Sequence, residues 1–258
     1  MAGSITTITS PLSRLAATII AAVLLLGPRE ARAQRRGGDG FLFQPPTVSF
    51  GLRAGYDRAF AGSDLFDFTT QNLTVSRSSF SSASWAGDMA VRLTPRTDLV
   101  FGVAFSGSRA GSEFRNWVDN QNQPIRQRTT FKRIPLTASY RMYLLPRGVS
   151  VGRFAWVPAR YAPYVGGGVG VVYYQFRQAG DFIDFSTLKV FPDVYNTSGW
   201  ARAVHLLAGT DVAVASHVAL TGEARYTWAK ATPGPDFTGF NRIDLSGLSV
   251  TAGVSMRL

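Results

Sequence analysis

Cysteine is absent from the 258-residue chain. Its absence excludes disulfide bonds, thiol catalysis and cysteine-based metal sites. Histidine occurs only at His205 and His217, and two histidines on separate segments do not give the ligand spacing of a metal centre. We therefore expect no metal and no cofactor. Lysine is also scarce, because Lys132, Lys189 and Lys230 are the only lysines among 27 basic residues.

Long apolar runs are absent except near the N-terminus. There, Arg14 precedes the apolar segment 15–27, which Pro28 ends, and Ala31-Arg32-Ala33 follows as a small-x-small cleavage motif. The run is too short for a bilayer-spanning helix, which needs about 20 residues. Residues 1–33 are therefore predicted to be a signal peptide that is cleaved after Ala33.

The charge balance is strongly basic, with 27 basic and 16 acidic residues and a net charge of +11. A basic chain can bind nucleic acid, cover an anionic surface or collect arginine in its interior. Because the chain carries an export signal, we expect no nucleic-acid partner and keep the other two options.

Apolar residues recur at every second position from Pro46 onward, which is the period of a β-strand. Eight segments show this pattern: 48–56, 85–93, 99–105, 133–144, 161–173, 200–212, 218–228 and 248–258. Long connections (57–84, 106–132, 174–199, 229–244) alternate with shorter ones (94–98, 145–160, 213–217). This asymmetry predicts an all-β, eight-stranded antiparallel transmembrane β-barrel over 47–258, with four long extracellular loops and short periplasmic turns. Residues 34–46 are predicted to be a flexible periplasmic lead-in.

The alternation alone also fits a soluble barrel with an apolar interior. The polar faces distinguish the two, because they hold Ser, Gly, Thr and isolated charges and almost no lysine, as a narrow interior would. The apolar faces also carry aromatic residues near the long loops, as in the interfacial girdle of a membrane barrel. These residues are Tyr56, Trp85, Phe105, Tyr173, Trp200, Tyr226 and Trp228.

The last eight residues fit a polar-x-Gly-x-x-apolar-x-apolar pattern through Thr251, Gly253, Met256 and Leu258. In these residues, and in the Gly-rich segment 163–170 and the Glu-x-x-Tyr segment 220–226, the chain resembles the small eight-stranded outer-membrane β-barrel superfamily of the OmpX, OmpW and OmpA-barrel types. The resemblance implies the outer membrane of a Gram-negative bacterium, periplasmic chaperones, the barrel assembly machinery and a monomer. Leu258 replaces the aromatic residue that is usual there, which would weaken recognition by that machinery.

The inward faces are predicted to carry more arginines than acids. The predicted interior charges are Arg53, Asp88, Arg92, Arg133, Arg141, Asp211, Glu223, Arg225 and Arg257. Buried charges need partners, so we expect an ionic network that fills the lumen, with Arg53 beside Asp88 and Glu223 beside Arg225. The alternative is a small porin that favours anions, or a hydrophobic-solute channel of the OmpW type.

Catalysis has weak support in the sequence. Some barrels of this size are lipid A deacylases with a His-x-Ser pair, but Leu207 occupies the second position after His205, and His217 lies in a short turn. A serine nucleophile needs a histidine within hydrogen-bond reach. We expect a structural or surface-interaction role and no enzymatic activity, with a lipid A-modifying enzyme as the least favoured alternative.

The extracellular side carries two further features. Basic residues around the second long loop suggest a contact with lipopolysaccharide phosphates, the alternative being an ordinary solvated loop. These residues are Arg109, Arg115, Arg126, Arg128, Lys132 and, outward near the same end, Arg202. Loop aromatics are also numerous, and form either a self-packed cap or the mouth of a path for hydrophobic ligands. They are Phe60, Phe66, Phe68, Phe114, Trp117, Phe182, Phe185 and Phe191.

Overall fold

The computed structural model describes residues 41–119, 121–184, 186–187 and 189–258. The predicted signal peptide, its cleavage site after Ala33 and residues 34–40 lie outside the described residues. The elements in chain order are β1 (Val48–Ala59), α1 (Asp64–Asn72), β2 (Ser82–Thr94), β3 (Thr97–Val118), β4 (Pro124–Tyr143), β5 (Gly148–Val151), β6 (Ala155–Pro158), β7 (Tyr161–Asp184), β8 (Lys189–Ala213), β9 (Val218–Ala231), β10 (Ile243–Asp244) and β11 (Gly247–Arg257), with short 3₁₀ turns at Arg77–Phe80 and Pro235–Phe237. No helix among the described residues is long and apolar enough to cross a membrane.

Eight strands form a closed ring within the described residues. The order around the ring is β1, β2, β3, β4, β7, β8, β9 and β11, and β11 pairs back onto β1 from Ser49–Arg257 to Ala59–Gly247. Every pairing is antiparallel, so the predicted eight-stranded antiparallel barrel is confirmed. Closure leaves no unpaired strand edge in the wall, which is what a hydrocarbon environment requires of a sheet.

The two faces of the wall differ as the alternation predicts. Leu52 is 76% exposed on the outside, whereas its neighbour Arg53 is 5% exposed and points inward. All seven predicted girdle aromatics are on the outer face, where Tyr173 packs on Trp200 and Tyr226 packs on Trp228. An apolar outside and a charged inside are the reverse of a water-soluble barrel. Below, the end with long connections is called extracellular and the other end periplasmic, after the asymmetry of outer-membrane barrels.

The hairpins on the extracellular side are longer than the sequence predicts. β3 and β4 stay paired as far as Val118 and Pro124, and β7 and β8 as far as Asp184 and Lys189. Segments expected to be loops are therefore largely strands. The prediction stopped them too early because the apolar alternation ends at the girdle, while backbone pairing continues beyond it with polar side chains.

The extracellular mouth is closed by a hydrophobic core that the first and fourth long loops build. Phe66 of α1 is fully buried and packs edge-on against Phe80, Phe131 and Phe176, with ring centroids 4.8 to 5.5 Å apart. Phe237 of the fourth loop packs on Phe176 from the other side, at 5.5 Å. We call this cluster the aromatic cap.

Most of the predicted loop aromatics pack on other aromatic rings or on the cap. Phe60 contacts Tyr226, Phe68 contacts Phe240, and Phe182 contacts Phe191 and Tyr195. Phe114 packs partly buried against the cap, and Phe185 lies outside the described residues. Most of the described loop aromatics thus have the arrangement of the predicted self-packed cap, while Trp117 is 39% exposed.

The periplasmic mouth is covered by a second element, where the sequence predicts only a turn. Residues 145–160 contain the hairpin of β5 and β6, and Trp156 of β6 is 4% exposed. Leu42 of the lead-in exchanges both backbone hydrogen bonds with Trp156, at 2.8 and 2.6 Å. Within the predicted lead-in, Leu42 is therefore paired to the fold, whereas Phe43, Gln44 and Pro45 are exposed.

The predicted assembly-signal residues lie on β11 and at its end. Thr251 points inward, Met256 points outward, and the Leu258 amide donates a hydrogen bond to the Val48 carbonyl at 2.8 Å. Gly253 faces inward where β1 crosses closely, so a Cβ there would overlap the Leu52 carbonyl oxygen. This glycine is required for closure of the barrel, independently of any recognition signal.

Candidate functional site

The centre of the lumen is organised around one carboxylate, Glu223 of β9. Its Oε2 accepts hydrogen bonds from Arg53, Arg141 and the Tyr164 hydroxyl, at 3.3, 3.2 and 3.2 Å. Its Oε1 accepts the Nη2 of Arg225 at 2.9 Å. Three guanidinium groups and a phenol thus converge on one buried acid, and the predicted neighbours Glu223 and Arg225 are in contact.

Further ion pairs extend the network towards both ends of the lumen. Arg53 reaches Asp88 at 2.7 Å, the pair that the sequence analysis placed together. Towards the cap, Arg133 donates to Asp57 at 2.8 Å and to the Leu245 carbonyl at 2.9 Å.

At the periplasmic end, Asp98 and Asp211 hold the inward-facing cations. Arg147 pairs with Asp98 at 2.8 Å, and Arg257 lies 3.9 Å from Asp211. Asp211 also accepts hydrogen bonds from the hydroxyls of Tyr143 and Thr221, at 3.0 and 2.8 Å.

The charge balance of the lumen differs from the expected excess of arginine. Among the described residues, the inward ion pairs join six arginines to five acids, a net charge of +1. Arg92 lies on the inward parity of β2 with Asp88 and Ala90 and is paired in register with Asp98, but it belongs to none of these ion pairs. Its side chain is partly exposed near the periplasmic end of β2, where its Nε donates to the Thr94 carbonyl at 3.2 Å.

Little free volume remains around this network. A cavity of about 60 Å³ lies between the charges and the aromatic cap, lined by Arg53, Arg133, Glu223 and Arg225 among others. A second of about 20 Å³ lies under Trp156, beside Tyr143, Asp211 and Arg257. Such volumes hold a few water molecules. Eight-stranded barrels are narrow enough for their own side chains to fill, and this lumen is filled.

A serine and a histidine meet inside the wall, although no sequence motif joins them. The Oγ of Ser139 on β4 lies 2.8 Å from the Nε2 of His205 on β8, and both residues are buried. The other ring nitrogen, Nδ1, is buried and has no hydrogen-bond partner in the described part of the chain. A hydrolytic triad has a third group at that position to orient the imidazole. His217 instead lies at the rim, with its Nδ1 3.0 Å from the Arg257 carbonyl.

A second feature lies on the outer face, above the aromatic girdle. Gln127, Thr129 and Phe131 of β4 are buried, so Arg126 and Arg128 point outward. The neighbouring strands add two more outward arginines, because Thr130 pairs with Arg109 on β3 and with Arg177 on β7. We call Arg109, Arg126, Arg128 and Arg177 the arginine strip. Among the described residues its one ion pair joins Arg126 to Glu113, 3.3 Å apart.

The height of the arginine strip follows from the strand geometry. Arg109 is four residues beyond Phe105, and Arg177 is four residues beyond Tyr173, each pair on one strand and one face. Four residues of strand span about 13 Å. The strip is therefore just outside the interfacial aromatics.

Three residues of the predicted basic cluster lie outside the arginine strip. Arg115 turns towards the cap, where its Nε donates to the Thr70 carbonyl of α1 at 3.3 Å. Arg202 points outward on β8 opposite Val171, well below the strip. Lys132 is half-buried on the outer face of β4, between Gly107 and Gln175 and next to the strip. The sequence prediction included Arg115 because it is close in sequence to the other basic residues. The pairing of β3 becomes irregular after Glu113, and Arg115 therefore points away from the strip.

Comparison with protein-family models and with curated proteins finds no match. Several solved structures are similar in shape. OprG from Pseudomonas aeruginosa is 13% identical, with a TM-score of 0.45, over 84% of this chain and 99% of that one. Neisserial surface protein A is 15% identical, with a TM-score of 0.42, over 82% and 96%. Ail of Yersinia pestis is 10% identical, with a TM-score of 0.41, over 82% and 99%.

The fold of this chain is established by its own closed ring of strands.

The lumen contains three ionic residues that the sequence analysis missed: Asp57, Asp98 and Arg147. Asp57 continues the inward alternation of Arg53, and Asp98 continues that of Val100, each just outside the apolar segment. Extending each strand by one period of two would have found both acids. Arg147 gives no such signal, because it leaves β4 and turns back under the mouth.

Proposed function

We propose that this protein is a closed β-barrel of the bacterial outer membrane that acts through its outer surface and passes no solute. The observation that carries this proposal is the filled lumen. The aromatic cap closes the extracellular end, the Glu223 network occupies the centre, and Trp156 covers the periplasmic mouth. A porin needs a continuous aqueous path, and a hydrophobic carrier needs an open apolar mouth. The two small cavities provide neither.

Planar bilayer recording tests the closed lumen directly. The mature chain, refolded and inserted, is expected to give no single-channel steps at either polarity. Insertion is verified separately by the faster mobility of the folded protein on an unboiled gel. Regular anion-selective steps from inserted protein would contradict the closed-barrel proposal and favour the small porin.

Ser139 and His205 do not extend the proposal to catalysis. The pair is buried in the barrel interior, over Gly168 of β7, and neither residue lines the cavities described above. The monomeric state, the periplasmic chaperones and recognition of the last eight residues by the barrel assembly machinery stay predictions from the sequence.

The arginine strip favours lipopolysaccharide phosphates as the surface ligand. Its four guanidinium groups face outward, just beyond the interfacial aromatics, and within the described residues Arg126 alone of the four forms an ion pair, with Glu113. Phosphates of lipid A lie at this height in the outer leaflet, and arginine pairs with phosphate in a bidentate manner. A solvated loop would not require the cations of three strands to share one face.

Substitution of the strip measures this contact. The triple variant Arg126→Gln, Arg128→Gln, Arg177→Gln is expected to bind lipopolysaccharide about a hundredfold more weakly, since each cation at an anionic surface contributes about 1 kcal/mol. The matched control is Arg115→Gln with Arg242→Gln, two exposed extracellular arginines outside the strip. Equal affinity of the two variants in a binding titration would refute the assignment.

A further inference from the structure

The periplasmic connections contain cations and no acids. Residues 95–96, 144–160 and 214–217 include four arginines and one histidine, and neither aspartate nor glutamate. Arg147 is used inside the lumen, where it pairs with Asp98. Arg96, Arg153 and Arg160 remain exposed at this end of the barrel. A rim that carries only positive charge is complementary to an anionic surface.

The β5–β6 hairpin in this rim has two different faces. One face carries Trp156, which lines the cavity at the periplasmic mouth together with Tyr143 and Asp211. The opposite face carries Val149 and Val157, which are directly paired, and Val151 beside them. Val149 is 65% exposed, and Phe154 at the tip of the hairpin is 75% exposed. The hairpin thus buries one aromatic residue and leaves an apolar surface uncovered.

The direction of the uncovered face follows from that of Trp156. Tyr143 and Asp211 point into the lumen, so Trp156 beside them faces the barrel axis and the valines face away from it. Leu144 and Leu145, both about half exposed, connect this face to the outward residues Tyr140 and Met142 of β4. Between Leu145 and Val149 the chain adds only Pro146, Arg147 and Gly148, and Arg147 turns inward to pair with Asp98.

We propose that the β5–β6 hairpin lies on the inner leaflet of the membrane and binds anionic phospholipid. The valine face and Phe154 insert at the boundary between acyl chains and headgroups, while Arg153 and Arg160 pair with lipid phosphates. Arg160 lies 5.6 Å from the ring of Tyr161, which is an arrangement suited to an interface. This inference rests on the proposed position of the barrel in a bilayer. A soluble periplasmic protein could instead cover the valine face. Binding of such a protein would not require the valine face to lie next to the lipid-facing wall.

The absence of cysteine allows a direct test with single spin labels on the full mature chain. Nitroxides are placed by Val151→Cys on the valine face, by Val169→Cys on the outer wall of β7, and by Ala215→Cys in the β8–β9 turn. The barrels are refolded in vesicles of phosphatidylcholine with phosphatidylglycerol, and collisions with oxygen and with a water-soluble nickel complex are compared. The labels at 151 and 169 are expected to collide more often with oxygen than with the nickel complex. The label at 215 should collide more often with the nickel complex.

The controls separate the two proposals. If the label at 151 behaves like that at 215 while the label at 169 favours oxygen, the hairpin does not bind lipid and a soluble partner becomes the better occupant. If the label at 169 also favours nickel, the proposed membrane barrel itself fails.

The charge contribution is measured by omitting phosphatidylglycerol. The label at 151 should then shift towards nickel, and Arg153→Gln with Arg160→Gln should abolish that lipid dependence. A label at 151 whose accessibility ignores phosphatidylglycerol would overturn the anionic-lipid part of the inference.

Discussion

Glu223→Gln is expected to lower the free energy of unfolding by about 3–5 kcal/mol, the cost of removing one partner from a buried ion cluster. The substitution keeps the size of the side chain and removes its charge. Arg53 and Arg225 then lose their shared acid, and Arg141 loses its one ion pair. Arg53 keeps Asp88, which limits the loss. The change is measured by urea titration of the refolded barrel, followed by gel mobility without boiling.

The exposed pair of Glu113 and Arg126 provides the control for that experiment. Their atoms are 3.3 Å apart, as are those of Glu223 and Arg53, but both side chains are open to solvent. Exposed pairs contribute at most about 1 kcal/mol. Glu113→Gln should therefore leave the urea midpoint nearly unchanged, and a Glu223→Gln barrel that is as stable as the Glu113→Gln barrel would contradict the network.

Phe66→Ala is the second substitution with a large expected effect. Phe66 is fully buried at the centre of the aromatic cap, and removal of a buried phenylalanine typically costs about 3–5 kcal/mol. The loss should fall on the cap rather than on the wall, because α1 takes no part in the backbone pairings of the strand ring. We expect rapid proteolysis within residues 60–81, while the unboiled barrel keeps its folded mobility.

Phe68 on the same helix serves as the reference for Phe66. It is 43% exposed and contacts Phe240 at the rim of the cap. Phe68→Ala has the same change in size and helix propensity but removes much less buried surface, so its effect on proteolysis should be small. Similar cleavage rates for the two variants would show that the cap is not held by its buried rings.

The barrel wall could be predicted from the sequence because a strand has a period of two. Once Leu52 was assigned to the outside, Arg53 had to lie inside, and the same parity placed Glu223, Arg141 and Asp211 in the lumen. The pattern also separates a membrane barrel from a soluble one, since lysine is missing from the inward faces. The parity of a single strand, however, does not give the register between strands. It therefore does not show which inward residues of different strands lie at the same height.

The elements outside the wall were less predictable, for a related physical reason. The aromatic cap and the β5–β6 hairpin are formed by contacts between residues distant in sequence, such as Phe66 with Phe176 and Leu42 with Trp156. The meeting of Ser139 and His205 depends on the register of β4, β7 and β8 together. The arginine strip likewise needs the pairing of three strands, which adds Arg177 and excludes Arg115.

The seam between β1 and β11 also has a kinetic consequence. It joins Ser49 to Arg257, so the wall closes through a loop that contains all the other strands of the described chain. Long loops are entropically costly to close, and folds dominated by such distant pairings form slowly. Until the seam forms, β1 and β11 expose unpaired edges that can associate with other chains. The lifetime of that open intermediate, more than the stability of the finished wall, sets how readily unfolded chains aggregate before they fold.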